Sequence, residues 1–419
     1  MWELDHAVVN LDRINMTVPR LTAAQAAARL GVKPQTLYAY VSRGLLSRER
    51  SATGSTFDPL EVEAFARRRR PSAPASTPRT SRAAAAGSPL MVLDTDIALI
   101  EDDELIYRGR PAAELALTDS VEKVAAWLWG LDAHAQLDAH PDSVAAARRA
   151  VTTLAPAAPL LSRVQAAVVA MGAADPLRHD PSEANLRRIG AELLVGVPRA
   201  LAPSEPAAGA SVAESLWTAL AGRAPEPAGS RAISAALVLA VDHDLAASTL
   251  AARVAASARA DGYAVVSAAL GAFDSALHGD ASRPAAELLA RVVSGEAAET
   301  AIAAAVRDGG RGVPGFGQPL YRGTDARARA LLPLVGALPG AAPVTEAAAA
   351  IAGVVEARAG LHPNFDFALA VLTGAAGMAP DAGSAVFAVG RTVGWIAHAL
   401  DEYRQRPLRL RPRGRYVGP

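Results

Sequence analysis

The sequence of 419 residues contains no cysteine, which excludes disulfides, thiolate metal sites and cysteine nucleophiles. Aromatic residues make up only 5% of it. With few β-branched runs and many Ala-rich stretches, helix is favoured over sheet. Net charge is also lacking, 42 basic side chains standing against 42 acidic ones, so the chain as a whole gives no reason to expect a nucleic-acid or membrane partner. No run of about 18 apolar residues is free of charges or prolines, and Met1–Arg20 has no hydrophobic signal core. A soluble cytoplasmic protein is expected. None of the eight histidines pairs with another at HxxxH spacing, so no metal site is predicted. GxxxxGK(S/T), the GxSxG elbow and a strand-to-helix GxGxxG are absent as well, which removes the common motif-bearing enzymes.

What is present falls into three zones, and the length suits two or three domains. Residues 18–70 form a short, basic, helical unit. Residues 71–88 are rich in Pro, Ala and Ser and read as a flexible linker. The remainder is a long helical region punctuated by Gly and Pro. One exception is Met91–Tyr107, where two β-prone segments flank the acidic turn Glu101-Asp102-Asp103 and predict a hairpin.

In the first zone, Thr22 and Gln25 have the spacing of a capping box opening a helix through Leu30. Gly31 suits the left-handed residue that ends it. Pro34 fits the first turn of a second helix to about Arg43, closed by Gly44. A turn over Gly54–Phe57 and a third helix from Pro59 through the Arg67–Arg70 run follow. Between residues 20 and 70, ten basic side chains face four acidic ones, and that local excess is a possible phosphate-binding footprint. This segment, TAAQAAARLGVKPQTLYAYVSRGLL followed by STFDPLEVEAFARRRR, resembles the winged helix-turn-helix of the MerR and excisionase families. The resemblance implies that Lys33, Gln35, Thr36 and Tyr38 face a DNA major groove and that Arg43 and Arg48 meet phosphates. The alternative is a protein-docking or dimer-stabilising appendage with a solvated Arg-rich helix end.

In the third zone a set of polar residues is embedded in apolar sequence: His243, His278, Gln318, Asp366 and Arg391. A lone histidine or a Gly-rich loop is ordinarily a core residue or a turn. An aspartate between two phenylalanines is harder to dismiss, because desolvation raises its pKa and costs stability. From Asp94 to the end, the segments come in the order and spacing of the citrate synthase family. The opening hairpin with Tyr107-Arg108-Gly109 resembles the family's YRG region. VDHDLAASTLAARV is similar to DHELNAST, LHGDAS to LHGGAN, and PNFDF to PNVDF; GRTVGWIAHALDE with RPRGRYVG is similar to the family's carboxy-terminal pattern.

The resemblance implies an all-α citrate synthase fold preceded by the small winged helix-turn-helix. A large domain would comprise residues 89–279 and 378–419 and a small one residues 280–377, with the active site between them. It implies condensation of acetyl-CoA or propionyl-CoA with oxaloacetate, giving citrate or 2-methylcitrate, with no cofactor beyond the CoA thioester that is a substrate. Asp366 would take the proton from the acyl α-carbon, and His278 would hydrogen-bond the thioester oxygen. His243, Arg327, Arg391 and Arg411 would hold the dicarboxylate, the guanidinium forks matching carboxylates. Arg411 would reach over from the partner of a homodimer. The loop Gly312, Val313, Pro314, Gly315, Phe316 and Gly317 would admit the adenine of CoA, and Arg322 would meet a CoA phosphate.

Three positions depart from the family pattern. Gln318 replaces the histidine of GFGH; it still donates a hydrogen bond to a keto oxygen but cannot deliver a proton, help worth roughly 10²–10⁴-fold in rate. Ala326 replaces the proline of DPR, and Ser282 the asparagine of LHGGAN. An alternative built on Gln318 is a metabolite-sensing DNA-binding regulator with a degraded synthase body.

Overall fold

The computed structural model describes residues 18–51, 54–69, 92–132, 134–310 and 312–418. The linker expected over 71–88 lies outside them, as does Arg70.

The N-terminal unit builds as its caps dictate. Thr22 accepts from the Gln25 backbone N–H while the Gln25 side chain returns to the Thr22 N–H, opening α1 (Ala23–Leu30), and Gly31 ends it at φ +63°. Helix α2 (Pro34–Ser42) starts on proline and is followed by Gly44 at φ +67°. Strands β1 (Leu21–Thr22), β2 (Glu49–Ser51) and β3 (Gly54–Phe57) form an antiparallel sheet of order β1-β3-β2, and α3 (Pro59–Arg69) follows. The expected turn over Gly54–Phe57 is thus a strand. Gly54 already pairs with Ser51, and the alternation delivers Phe57 into the unit's own core with Leu21, Leu37 and Phe65.

The hairpin forms as β4 (Ala98–Glu101) and β5 (Glu104–Tyr107), with Asp102 and Asp103 both at positive φ. This is the primed-turn geometry that Asp tolerates better than most side chains. A third short strand, β6 (Arg110–Pro111), completes the sheet. Among the described residues every regular element after it is a helix. Among the described residues there are eighteen helices, and none is long and apolar enough to cross a membrane.

One helix organises the body. Ala382–Tyr403 is buried along nearly its whole length, all round rather than on one stripe. It packs against Ala247–Ser257, Pro227–Ala240 and Glu183–Leu201. Close approach needs glycine: a β-carbon at Gly390 or Gly394 would run into the carbonyl oxygens of Leu237 or Val241. A second group of helices, Ser282–Val293, Ala298–Gly309, Ala342–Ala359 and Phe365–Ala375, packs together beside it, and Ala326–Val335 joins Pro227–Ala240 to Phe365–Ala375. One continuous apolar core runs through both groups.

Candidate active site

Between the two groups lies a cavity of about 230 Å³ lined by His243, Asp244, His278, Gln318, Arg327, Asp366, Phe387 and Arg391, with several aliphatic side chains. Six residues singled out in the sequence therefore meet, from segments as far apart as 243 and 391. The volume is below the ~300–1,000 Å³ of pockets that enclose a drug-sized ligand. Two small reacting groups fit, and any larger carrier must extend outside.

Asp366 stands in the first turn of Phe365–Ala375, capped by Asn364, whose Oδ1 accepts from the Phe367 N–H at 3.2 Å. A helix N-terminus favours the carboxylate, but burial wins. Oδ1 is buried with no hydrogen-bond partner among the described residues, and desolvation pushes the carboxyl up to about 6 against the pull of Arg327. The loop before it is strapped to the Gly-rich loop: Gly317 N–H donates to His362 O (2.9 Å), Asn364 N–H to Gly315 O (2.9 Å), and Asn364 Nδ2 to Gly317 O (3.2 Å).

His278 packs edge-on against Phe273, ring centroids 4.9 Å apart, and its Nε2 lies 2.6 Å from Ser248 Oγ. Trp395 Nε1, a donor only, points at the same Oγ at 3.3 Å. The serine oxygen accepts from tryptophan, and with its own proton directed to Nε2, the one other side-chain partner it has among the described residues, the imidazole proton sits on Nδ1. Burial, then Arg391 and Arg327, push His278 down to about 4, so it is a neutral donor across the physiological range. Ser248→Ala frees the tautomer; losing one hydrogen bond of this kind should lower kcat about tenfold. Steady-state rates on the folded variant check this, and an unchanged kcat would remove Ser248 from the account.

His243 is neutral for the same reasons, held far below its usual range by burial and then by Arg327. Its Nε2 is 3.1 Å from the Tyr321 hydroxyl. The segment carrying it is pinned by Tyr107 of β5, whose hydroxyl lies 3.1–3.2 Å from the carbonyls of Val238, Leu239 and Asp242. The two arginines supply the positive charge. Arg327 is bound by Asp325 (Nε–Oδ1 3.0 Å, Nη2–Oδ2 2.7 Å) and lies over the Phe365 ring. Arg391 donates from Nε to Ala240 O at 2.6 Å, while its Nη1 and Nη2 are buried and have no partner among the described residues. Burial lowers Arg391 to about 10, still charged at neutral pH. A desolvated guanidinium with two idle donors fits a carboxylate ligand.

Gln318 lines the same wall, and its Oε1 accepts weakly from the Leu320 N–H at 3.5 Å. Ala326 is buried beside Arg327, and Ser282 Oγ meets Ser384 Oγ at 3.4 Å. The loop Gly312–Gly317 and Arg322 do not line this cavity; the Arg322 N–H donates to Asp103 at 2.7 Å. Arg411 is exposed in the carboxy-terminal tail, away from the cavity of its own chain. Ser248, Tyr321, Trp395 and Asp325 were not singled out from the sequence, although Ser248 and Trp395 fall inside two of the motif-bearing segments. Among the described residues no group of three or more His, Asp or Glu side chains could hold a metal ion.

A desolvated carboxyl, neutral imidazoles and two buried guanidiniums meet in one cavity between two packed groups of helices, an arrangement suited to an enzyme active site. Residues 88–413 match the model of the citrate synthase C-terminal domain, and the chain belongs to the citrate synthase family. It is 30% identical over 358 residues to the citrate synthase of Haloferax volcanii, covering 78% of this chain and 94% of that one. It is 34% identical over 224 residues to citrate synthase 2 of Bacillus subtilis, where the match spans 53% of this chain and 60% of the relative's length. The solved citrate synthase of Pyrobaculum aerophilum superposes with a TM-score of 0.66 at 25% identity, over 89% of this chain and 95% of that chain. Residues 18–70 lie outside the family match.

Proposed function

We propose that the protein condenses acetyl-CoA or propionyl-CoA with oxaloacetate, releasing citrate or 2-methylcitrate and CoA. The observation that carries this is the convergence of Asp366, His278, Arg327 and Arg391 on one small cavity. Asp366 takes a proton from the acyl α-carbon while His278 Nδ1–H stabilises the thioester enolate oxygen. The enolate carbon attacks the keto carbon, whose oxygen accepts a hydrogen bond from Gln318. Arg391, Arg327 and His243 hold the two carboxylates, and Arg411 of a partner subunit completes the clamp in a homodimer. Water then cleaves the thioester. No cofactor is called for, since base, donors and clamp are all side chains. The loop Gly312–Gly317 and Arg322 receive the CoA nucleotide outside the cavity. Helices within 280–377 act as a small domain closing on the rest and excluding water, in a cytoplasmic enzyme.

Purified protein given either acyl-CoA with oxaloacetate should release free thiol stoichiometrically with the new tricarboxylate. Folded dimer that releases none above background rejects the reading.

A second reading concerns the N-terminal unit, which we infer is a winged helix-turn-helix of the MerR type that binds duplex DNA. Lys33, Gln35, Tyr38, Arg43 and Arg48 are exposed, Thr36 half-buried, and Arg48 lies over the Tyr38 ring. Salt-dependent binding to duplex DNA that weakens when Lys33 and Arg43 are replaced supports it; binding indifferent to both changes argues for a docking role alone.

A further inference from the structure

The N-terminal unit does not stand apart from the body. Leu60 of α3 is buried in the main core rather than in the unit's own, and α3 packs on Ala342–Ala359 and Ala298–Gly309. Arg358 Nη2 donates to Asp58 Oδ2 at 2.8 Å, and Gln25 Nε2 to Arg307 O at 3.4 Å. Within the unit, Arg29 binds Glu63 in a two-pronged pair, Nη2–Oε2 at 2.5 Å, and Glu63 is only 3% exposed. This pair faces the Gly-rich loop. A β-carbon at Gly312 would lie 3.1 Å from Arg29 Nη2 and 3.4 Å from Glu63 Oε2. On the other arm of the strap, a β-carbon at Gly360 would collide with the Arg67 guanidinium.

The unit therefore touches both chains of the strapped pair, 312–318 and 360–364, whose mutual hydrogen bonds lead directly to Asp366. A loop with glycines at 312, 315 and 317 has little stiffness of its own. A two-pronged ion pair with one carboxylate almost dehydrated is a stiff object to lean on.

We propose that Arg29, held by Glu63, is a positioning residue for the acyl-CoA site: it backs Gly312 and fixes the loop that receives the CoA nucleotide. The N-terminal unit is then a working part of the synthase rather than cargo on a tether. This rests on the assignment of the Gly312–Gly317 loop to CoA, so the test measures binding rather than turnover.

In calorimetric titrations of the full chain, wild-type protein should bind CoA and oxaloacetate separately. Failure of wild type to bind CoA overturns the loop assignment itself. Given wild-type binding, Arg29→Ala should weaken CoA about tenfold, as misplacing a binding loop does, and leave oxaloacetate within about twofold. Arg29→Lys, which keeps the charge but not the fork, should recover part of the loss. If Arg29→Ala does not fold, Glu63→Gln decides, because it keeps the shape and one acceptor while removing the charge; the same ligand-selective weakening is expected. Equal weakening of both ligands, or unchanged CoA affinity in a folded variant, overturns the proposal.

Discussion

Asp366→Asn should lower kcat by about 10³-fold or more, within the range for loss of a general base, while oxaloacetate affinity stays near wild type. Asparagine preserves the shape of the side chain and the Asn364 cap, so the arginine wall is undisturbed; only the ability to take the α-proton is gone. The same change should stabilise the fold. The carboxyl is raised from an ordinary value near 4 to about 6. Between those two pH values the folded protein keeps a proton that the unfolded chain has released, so stability falls as pH rises through that window. Above pH 6 the full penalty of a desolvated carboxylate is present, roughly 2–3 kcal/mol for a shift of this size. Asparagine carries no such penalty. The variant's melting temperature should therefore exceed that of wild type at pH 8, with the gap closing toward pH 4. Wild-type kcat/KM should in turn rise tenfold per pH unit below about 6 and level off above it, since His278 is already neutral there. A variant that is as active as wild type, or less stable at pH 8, would place the base elsewhere.

The fold was legible because two kinds of signal agree. Ala-rich composition and cap chemistry predict helices one at a time, and the order of the motifs fixes how they must assemble. His243, His278, Gln318, Arg327, Asp366 and Arg391 could be named in advance because each sits in a distinctive local string and all of them line the cavity. Ser248 could not. Its role depends on Trp395, 147 residues away, supplying a donor on one side so that its own proton is turned to His278. Periodicity and composition carry no trace of that. The charge count in the N-terminal unit likewise carries no trace of which charges are paired. Of its four acidic side chains, Glu49 pairs with Arg20, Glu63 with Arg29, and Asp58 with Arg358 of the body. These pairs occupy the acidic side chains and leave the excess of basic ones unopposed. What remains exposed is concentrated on Lys33, Arg43, Arg48, Arg50 and the Arg67–Arg69 end of α3. The turn misplaced at Gly54–Phe57 has the same origin: glycine and serine suggested a loop, and a buried Phe57 overrode them.

Gln318→His should raise kcat by about 10²-fold, the lower end of the range for general-acid help, with the KM for oxaloacetate little changed. Space is no obstacle, since Gln318 is half-buried on the cavity wall and the two side chains are similar in volume. The limit is electrostatic. Burial and the guanidiniums of Arg327 and Arg391 push both resident imidazoles down, and a third imidazole beside them is held neutral by the same field. It therefore donates from N–H as a neutral acid and does not arrive as an imidazolium, which is why the gain stays below the top of the range. An imidazole N–H is nonetheless a better donor to a developing alkoxide than an amide. The newly formed oxyanion is the point at which the difference is felt, so the effect should appear in kcat and not in ground-state binding. A rise confined to kcat identifies Gln318 as the weak link of a working synthase. A fall would mean that the amide, which accepts as well as donates, is matched to a keto acid other than oxaloacetate, and turnover across a panel of 2-keto acids would then identify the carbonyl it was shaped to hold.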